Sequence, residues 1–192
     1  RLSSSLRFIA GKSAAEHIRS QGLQAKDVAA VIGASGAAKW LAIYGLDKAI
    51  FSQFLPQAGQ EVMLYGTSIG AFKLAAACQR DPAQALTTLA DAYIKQSYPD
   101  GVSPLRVAHE TTRILDQVLT EQGVKDLLTH PLFRYHCGAV HCKGLLASDN
   151  ITRQKLGMVV AFLRAIRGRN AHKSQLERVI FSTLDHEQPR LS

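Results

Sequence analysis

Residues 61–78 read Glu-Val-Met-Leu-Tyr-Gly-Thr-Ser-Ile-Gly-Ala-Phe-Lys-Leu-Ala-Ala-Ala-Cys, and this stretch restricts the fold more tightly than any other part of the chain. Val62, Met63, Leu64 and Tyr65 form a short apolar run suited to a central strand, whereas residues 71–78 are dominated by small helix formers. Between them stand Gly66, Ser68 and Gly70 in G-x-S-x-G spacing. A serine held in a sharp strand-to-helix turn brings the residues two positions before and after it together. Glycine at both places removes the side chains that would collide. The turn places the Ser68 hydroxyl at the carboxyl end of a sheet and at a helix N-terminus, where the Ile69 N–H can face a developing oxyanion. The alternative is a plain strand-to-helix turn without chemistry; the flanking strand and helix favour a nucleophile.

A second glycine turn lies upstream. Residues 27–32 predict a short strand that runs into Gly33-Ala-Ser-Gly-Ala-Ala-Lys-Trp40 and then a helix through about residue 51. In parallel sheets such turns gather at the carboxyl edge, so the amides of Gly33, Ala34, Ser35 and Gly36 are expected beside Ser68. A loop of this kind suits an oxyanion or a phosphate, with Lys39 adding charge, or is a packing turn with no ligand. Its G-x-x-G-x-x-K spacing fits neither the dinucleotide fingerprint nor the P-loop.

These two motifs, in this order, resemble the patatin-like phospholipase family, whose members carry a glycine-rich oxyanion loop after the first strand and a Gly-x-Ser-x-Gly-[Ala/Ser] elbow downstream. Gly66-Thr-Ser-Ile-Gly-Ala71 fits the elbow. In the first loop Ala34 and Ser35 interrupt the glycine run, no Asp precedes it, and Trp40 stands after Lys39 in place of glycine. The resemblance implies a three-layer α/β sandwich with a mainly parallel central sheet. It also implies a serine hydrolase that cleaves phospholipid or other acyl esters through an acyl-enzyme on Ser68. The oxyanion hole would be built from Gly33, Ala34, Ser35, Gly36 and Ile69. The family uses a Ser–Asp dyad, with no histidine, metal or cofactor, and its Asp comes from a later Asp-Gly motif. Asp100-Gly101 lies too early for that order and sits in Tyr-Pro-Asp-Gly-Val-Ser-Pro, a turn composition. Asp185 follows the apolar run Val179-Ile-Phe181 and is the candidate dyad acid, although His186 rather than glycine comes next. Otherwise the domain, residues 1–192, is incomplete at its C-terminal end. Two other readings stay open: an acyltransferase or thioesterase using the same elbow, and a catalytically inactive basic lipid-binding module.

With 192 residues and 46% hydrophobic content, the chain can bury one good core, so a single α/β domain is expected. Three cysteines do not make a disulfide framework and no apolar run approaches spanning length, which points to a reducing, cytoplasmic setting with at most peripheral membrane contact. Further helices are expected at residues 13–21, 83–97 and 107–121, with Leu86, Leu89, Ala90 and Tyr93 on one buried face. One or two strands are expected around Gly138. His136, Cys137, His141 and Cys142 invite zinc, but neighbours on a strand point to opposite faces and no C-x-x-C occurs, so they read as sheet positions with no metal. A triad with His141 or His172 as base to Ser68 is a further arrangement, and Asp149 with His172 would complete the order Ser…Asp…His.

The net charge of +8 is uneven. Within residues 153–178 stand Arg153, Lys155, Arg164, Arg167, Arg169, Lys173 and Arg178 against Glu177 alone, with Leu156, Val159, Val160, Leu163 and Ile166 as an apolar stripe. This predicts a basic amphipathic helix. It either packs its stripe on the core, meets an anionic membrane, or binds nucleic acid; no aromatic-studded strand or recognised binding motif supports the last.

Overall fold

In a computed structural model, which describes residues 9–99, 101–167 and 175–184, the apolar run at residues 62–65 becomes an inner strand of a four-stranded sheet. The elements follow as α1 (Lys12–Gln21), β1 (Ala30–Gly33), α2 (Tyr44–Ala49), β2 (Val62–Thr67), α3 (Ile69–Ala77), α4 (Pro82–Ile94), α5 (Pro104–Val118), α6 (Glu121–Leu128), β3 (Phe133–Cys142), α7 (Ile151–Arg167) and β4 (Leu176–Ser182). The sheet order is β1-β2-β3-β4; β1, β2 and β3 are parallel and β4 is antiparallel to β3. Gly33 pairs with Gly66 and Thr67 with Gly138. The first two strands therefore end together, while β3 runs on through Ala139 to Cys142, paired there only with β4. The chain is an α/β fold with a mixed, mostly parallel sheet.

Val62, Leu64 and Gly66 alternate as the buried face of β2, and α3 packs on that face. Because α3 is buried nearly all round, α4 can pack behind it, with α2 and α5 against α4. Leu64, Leu74, Leu86, Leu89, Ile114, Phe51 and Phe133 fill this core; each stabilises the fold by about 1.5–3 kcal/mol relative to exposure. Helix starts follow their caps: Asp81 accepts from Gln84 N before Pro82, Ser103 from Arg106 N before Pro104, and Thr120 from Gly123 N. On the other sheet face Ile32 is exposed, Met63 and Tyr65 are half-buried and His136 is buried. Among the described residues, no helix is long and apolar enough to cross a membrane.

Several expected boundaries shift. The strand expected from residue 27 starts at Ala30, because Gln24 and Asp27 cap each other around a 3-10 turn, Ala25–Asp27. The helix after the glycine loop is a relay of 3-10 (Ala37–Ile43), α (α2), π (Ile50–Phe54) and 3-10 (Leu55–Gln57) turns. The helix expected at 107–121 breaks at Leu119, whose ψ of 62° is non-helical, and Thr120 starts α6. β3 is one continuous strand. Finally, the basic segment is not one helix to residue 178, since Arg178 lies in β4 opposite Val140.

Nor does α7 bury its apolar stripe. It packs through Gly157, where a Cβ would stand 2.9 Å from the Leu145 carbonyl carbon and Leu146 N of the Gly144–Ala147 turn. Only a glycine allows so close an approach. The helix therefore docks by its small face, leaving Leu156, Val159, Leu163 and Ile166 more than half exposed and overturning the core-packed expectation.

Candidate active site

The strand-to-helix turn after β2 is as sharp as its glycines require. Ser68 has φ 52° and ψ −135°, a left-handed conformation costing a non-glycine residue roughly 1–3 kcal/mol, and it caps α3 without using its side chain. The surroundings enforce it. A Cβ on Gly66 would lie 2.6 Å from Ala71 N and from the Gly70 carbonyl. One on Gly70 would overlap the Gly33 carbonyl oxygen and stand 3.1 Å from Ala34 O, and one on Gly33 would reach within 2.7 Å of Gly70 O. Three glycines thus let β1, β2 and the first turn of α3 interlock at backbone distance.

The upstream loop is held against this turn. Ser35 Oγ donates to the Thr67 carbonyl at 2.8 Å and shares a second hydrogen bond with Thr67 Oγ1. Tyr135, on β3, donates its hydroxyl to Ala71 O at 3.2 Å, fixing the first turn of α3 to the sheet. Burial holds that hydroxyl protonated well above the usual phenol range. Gly33 is buried, Ala34 and Ser35 are exposed, and Gly36 is half-buried at the end of the loop, before Ala37, which has φ 47°. Ser68 is exposed, and Ile69, as first residue of α3, has no helical acceptor for its N–H. An exposed hydroxyl thus stands at the positive end of a nine-residue helix with no acid in its first turn.

Behind the elbow lies a pair that sequence reasoning missed. Lys73 Nζ donates to both Asp47 oxygens, at 2.9 and 3.0 Å, with each residue 5% exposed. Burial raises the Asp47 carboxyl above its ordinary range and outweighs the opposing pull of Lys73. The pair ties α3 to α2; its only signal was a lysine inside an otherwise apolar helix.

The other candidates are dispersed. Asp185, His172 and Asp100 lie outside the described residues. His141 is exposed near Glu177, with Nδ1 3.6 Å from its carboxylate, and Asp149 is exposed. Among the described residues, no His, Asp or Glu hydrogen-bonds to Ser68. On β3, His136 is buried with Nε2 unpartnered, burial moves its imidazole below the ordinary histidine range, and no group of three His, Cys, Asp or Glu side chains is placed to hold a metal among the described residues. A cavity of about 560 Å³ lies away from Ser68, beside the amino end of β3, lined by Cys78, Arg80, Asp126, His130 and Phe133. It offers little chemistry: burial pushes the Cys78 thiol up to about 12, and His130 Nδ1 already accepts from the N–H groups of Leu132 and Phe133. The chain matches no family model, no curated protein and no solved structure.

Proposed function

We propose that this protein is a patatin-like serine acylhydrolase acting on phospholipid or other acyl esters, with its α/β domain a three-layer sandwich of that type. The carrying observation is the left-handed Ser68 wedged between Gly66 and Gly70, a strained turn that presents an exposed serine at a helix N-terminus. Ser68 Oγ attacks the ester carbonyl carbon while its proton passes to a carboxylate, for which Asp185 is the candidate. The carbonyl electron pair moves onto oxygen. In this scheme the Ile69 N–H and amides from Gly33, Ala34, Ser35 and Gly36, whose loop Ser35 ties to Thr67 beside that helix terminus, stabilise that charge. Collapse expels the alcohol, which takes the proton, and water then cleaves the acyl-enzyme by the same route. No cofactor enters this scheme.

Turnover of p-nitrophenyl acyl esters tests the reading. A burst of p-nitrophenol stoichiometric with enzyme, absent in Ser68→Ala, is expected; equal turnover by Ser68→Ala and wild type refutes it. Acyl transfer to an alcohol or thiol acceptor in place of water would assign the same elbow to a transferase.

A further inference from the structure

α7 is built the wrong way round for a core helix. Its small face, centred on Gly157, meets the Gly144–Ala147 turn, and a broad arc of Leu156, Met158, Val159, Phe162, Leu163 and Ile166 faces out. Phe162 is 67% and Ile166 68% exposed. At helical spacing these residues form one continuous apolar surface about 160° wide. Scattered exposed hydrophobes need no explanation, but six large ones on a single helix face do.

Charge identifies what fits this face. Residues 151–167 contain Arg153, Lys155, Arg164 and Arg167 and no acid. Lys155 falls within the apolar arc near the helix start, while Arg153 falls beyond its edge on the helical wheel. An apolar stripe with basic side chains on long aliphatic stems within and beside it matches the boundary between lipid tails and anionic headgroups. A nucleic acid would be served by the charge but would leave Phe162 and Ile166 in water. The topology adds to this. β3 extends beyond Gly138, the partner of Thr67, for roughly another 13 Å at about 3.3 Å per residue before the chain turns toward α7. The root of α7 therefore rises from the same sheet edge at which Ser68 emerges.

We propose that α7 is an interfacial helix that seats the protein on an anionic lipid surface, with Phe162 and Ile166 entering the acyl boundary and Lys155 and Arg153 meeting headgroup phosphates. The proposal stands on α7 alone and holds whether or not Ser68 is catalytic.

Co-flotation with vesicles tests it, using the Ser68→Ala protein so that lipid turnover does not interfere. Vesicles of mixed phosphatidylglycerol and phosphatidylcholine should carry the protein up the gradient, and vesicles of phosphatidylcholine alone should carry much less. Phe162→Asp/Ile166→Asp should lower the bound fraction at least tenfold. Lys155→Glu/Arg153→Glu should lower it by a similar factor and reduce its salt sensitivity. Both pairs are substitutions at the helix surface, and circular dichroism verifies the fold. Phe162→Trp supplies a second reading, since Trp40 is the single native tryptophan and is buried; emission from residue 162 should shift to the blue on anionic vesicles. Absence of flotation, or flotation untouched by the Phe162/Ile166 pair, overturns the proposal. So does a dimer in solution that the Phe162/Ile166 pair dissociates while wild type ignores vesicles, which would assign the face to a second copy.

Discussion

Substituting Gly70 with alanine isolates the interlock that holds the elbow. The added Cβ would overlap the Gly33 carbonyl oxygen and lie 2.7 Å from its carbon and 3.1 Å from Ala34 O. All three obstacles are backbone, so no side-chain rotation relieves them, and β1 with its loop must move away from α3. Overpacking of this kind costs about 1–3 kcal/mol, more against fixed backbone, so about 4 kcal/mol is expected here. Alanine recovers about 1 kcal/mol of helix propensity, leaving a net loss near 3 kcal/mol. For a chain of this size that lowers Tm by roughly 6–12 °C. Gly45→Ala in α2 is the control: nothing lies within 4 Å of its Cβ position, so it should gain up to about 1 kcal/mol. Urea unfolding and calorimetry of the two variants make the comparison. If Gly70→Ala were as stable as wild type, or shifted like Gly45→Ala, the backbone contact between β1 and α3 would not exist as described.

Two further predictions concern ionisable groups wholly or partly buried. Burial, then the Arg134 charge, holds the His130 imidazole below its ordinary range, so the unfolded chain binds that proton first as pH falls. Stability from this group is full above pH 6.5 and is lost as pH drops from there toward the folded-state value. His130→Asn, whose side-chain oxygen can still accept from the Leu132 and Phe133 N–H groups but does not titrate, should flatten that part of the Tm–pH curve; an unchanged slope contradicts it. Lys73→Met leaves the Asp47 carboxylate buried without its partner and should cost about 3–5 kcal/mol in urea unfolding. Most of that should return in Asp47→Leu/Lys73→Met. Because Asp47 titrates above its ordinary range, its neutral form favours folding, and the Lys73→Met defect should shrink as pH falls toward that range.

The elbow was legible because its information is local: Gly66, Ser68 and Gly70 stand at the one spacing at which a strand can turn into a helix around a left-handed residue. The caps at Asp81 and Ser103, each followed by proline, went unread, and the second helix starts at Pro104 rather than at the expected residue 107. Thr120 carried the same kind of signal, but a helical pattern running across Leu119 masked it. Ser35 was read as an interruption of a glycine run, yet its hydroxyl is what ties the loop to Thr67; such a long-range bond leaves no trace in local pattern. The Asp47–Lys73 pair was hidden for the same reason. For α7, periodicity located the apolar stripe correctly and misplaced it in the molecule. A moment says that a helix has two faces and not which one the protein keeps, and Gly157 decided that by letting the small face approach the turn.

The central claim is that Ser68 is an activated nucleophile, and covalent labelling with a fluorophosphonate probe, mapped by mass spectrometry, tests it most directly. The account predicts stoichiometric modification of the peptide carrying Ser68, slowed by competing acyl ester and abolished in Ser68→Ala. Folded protein that leaves the probe unreacted, or that labels equally well in Ser68→Ala, would contradict it.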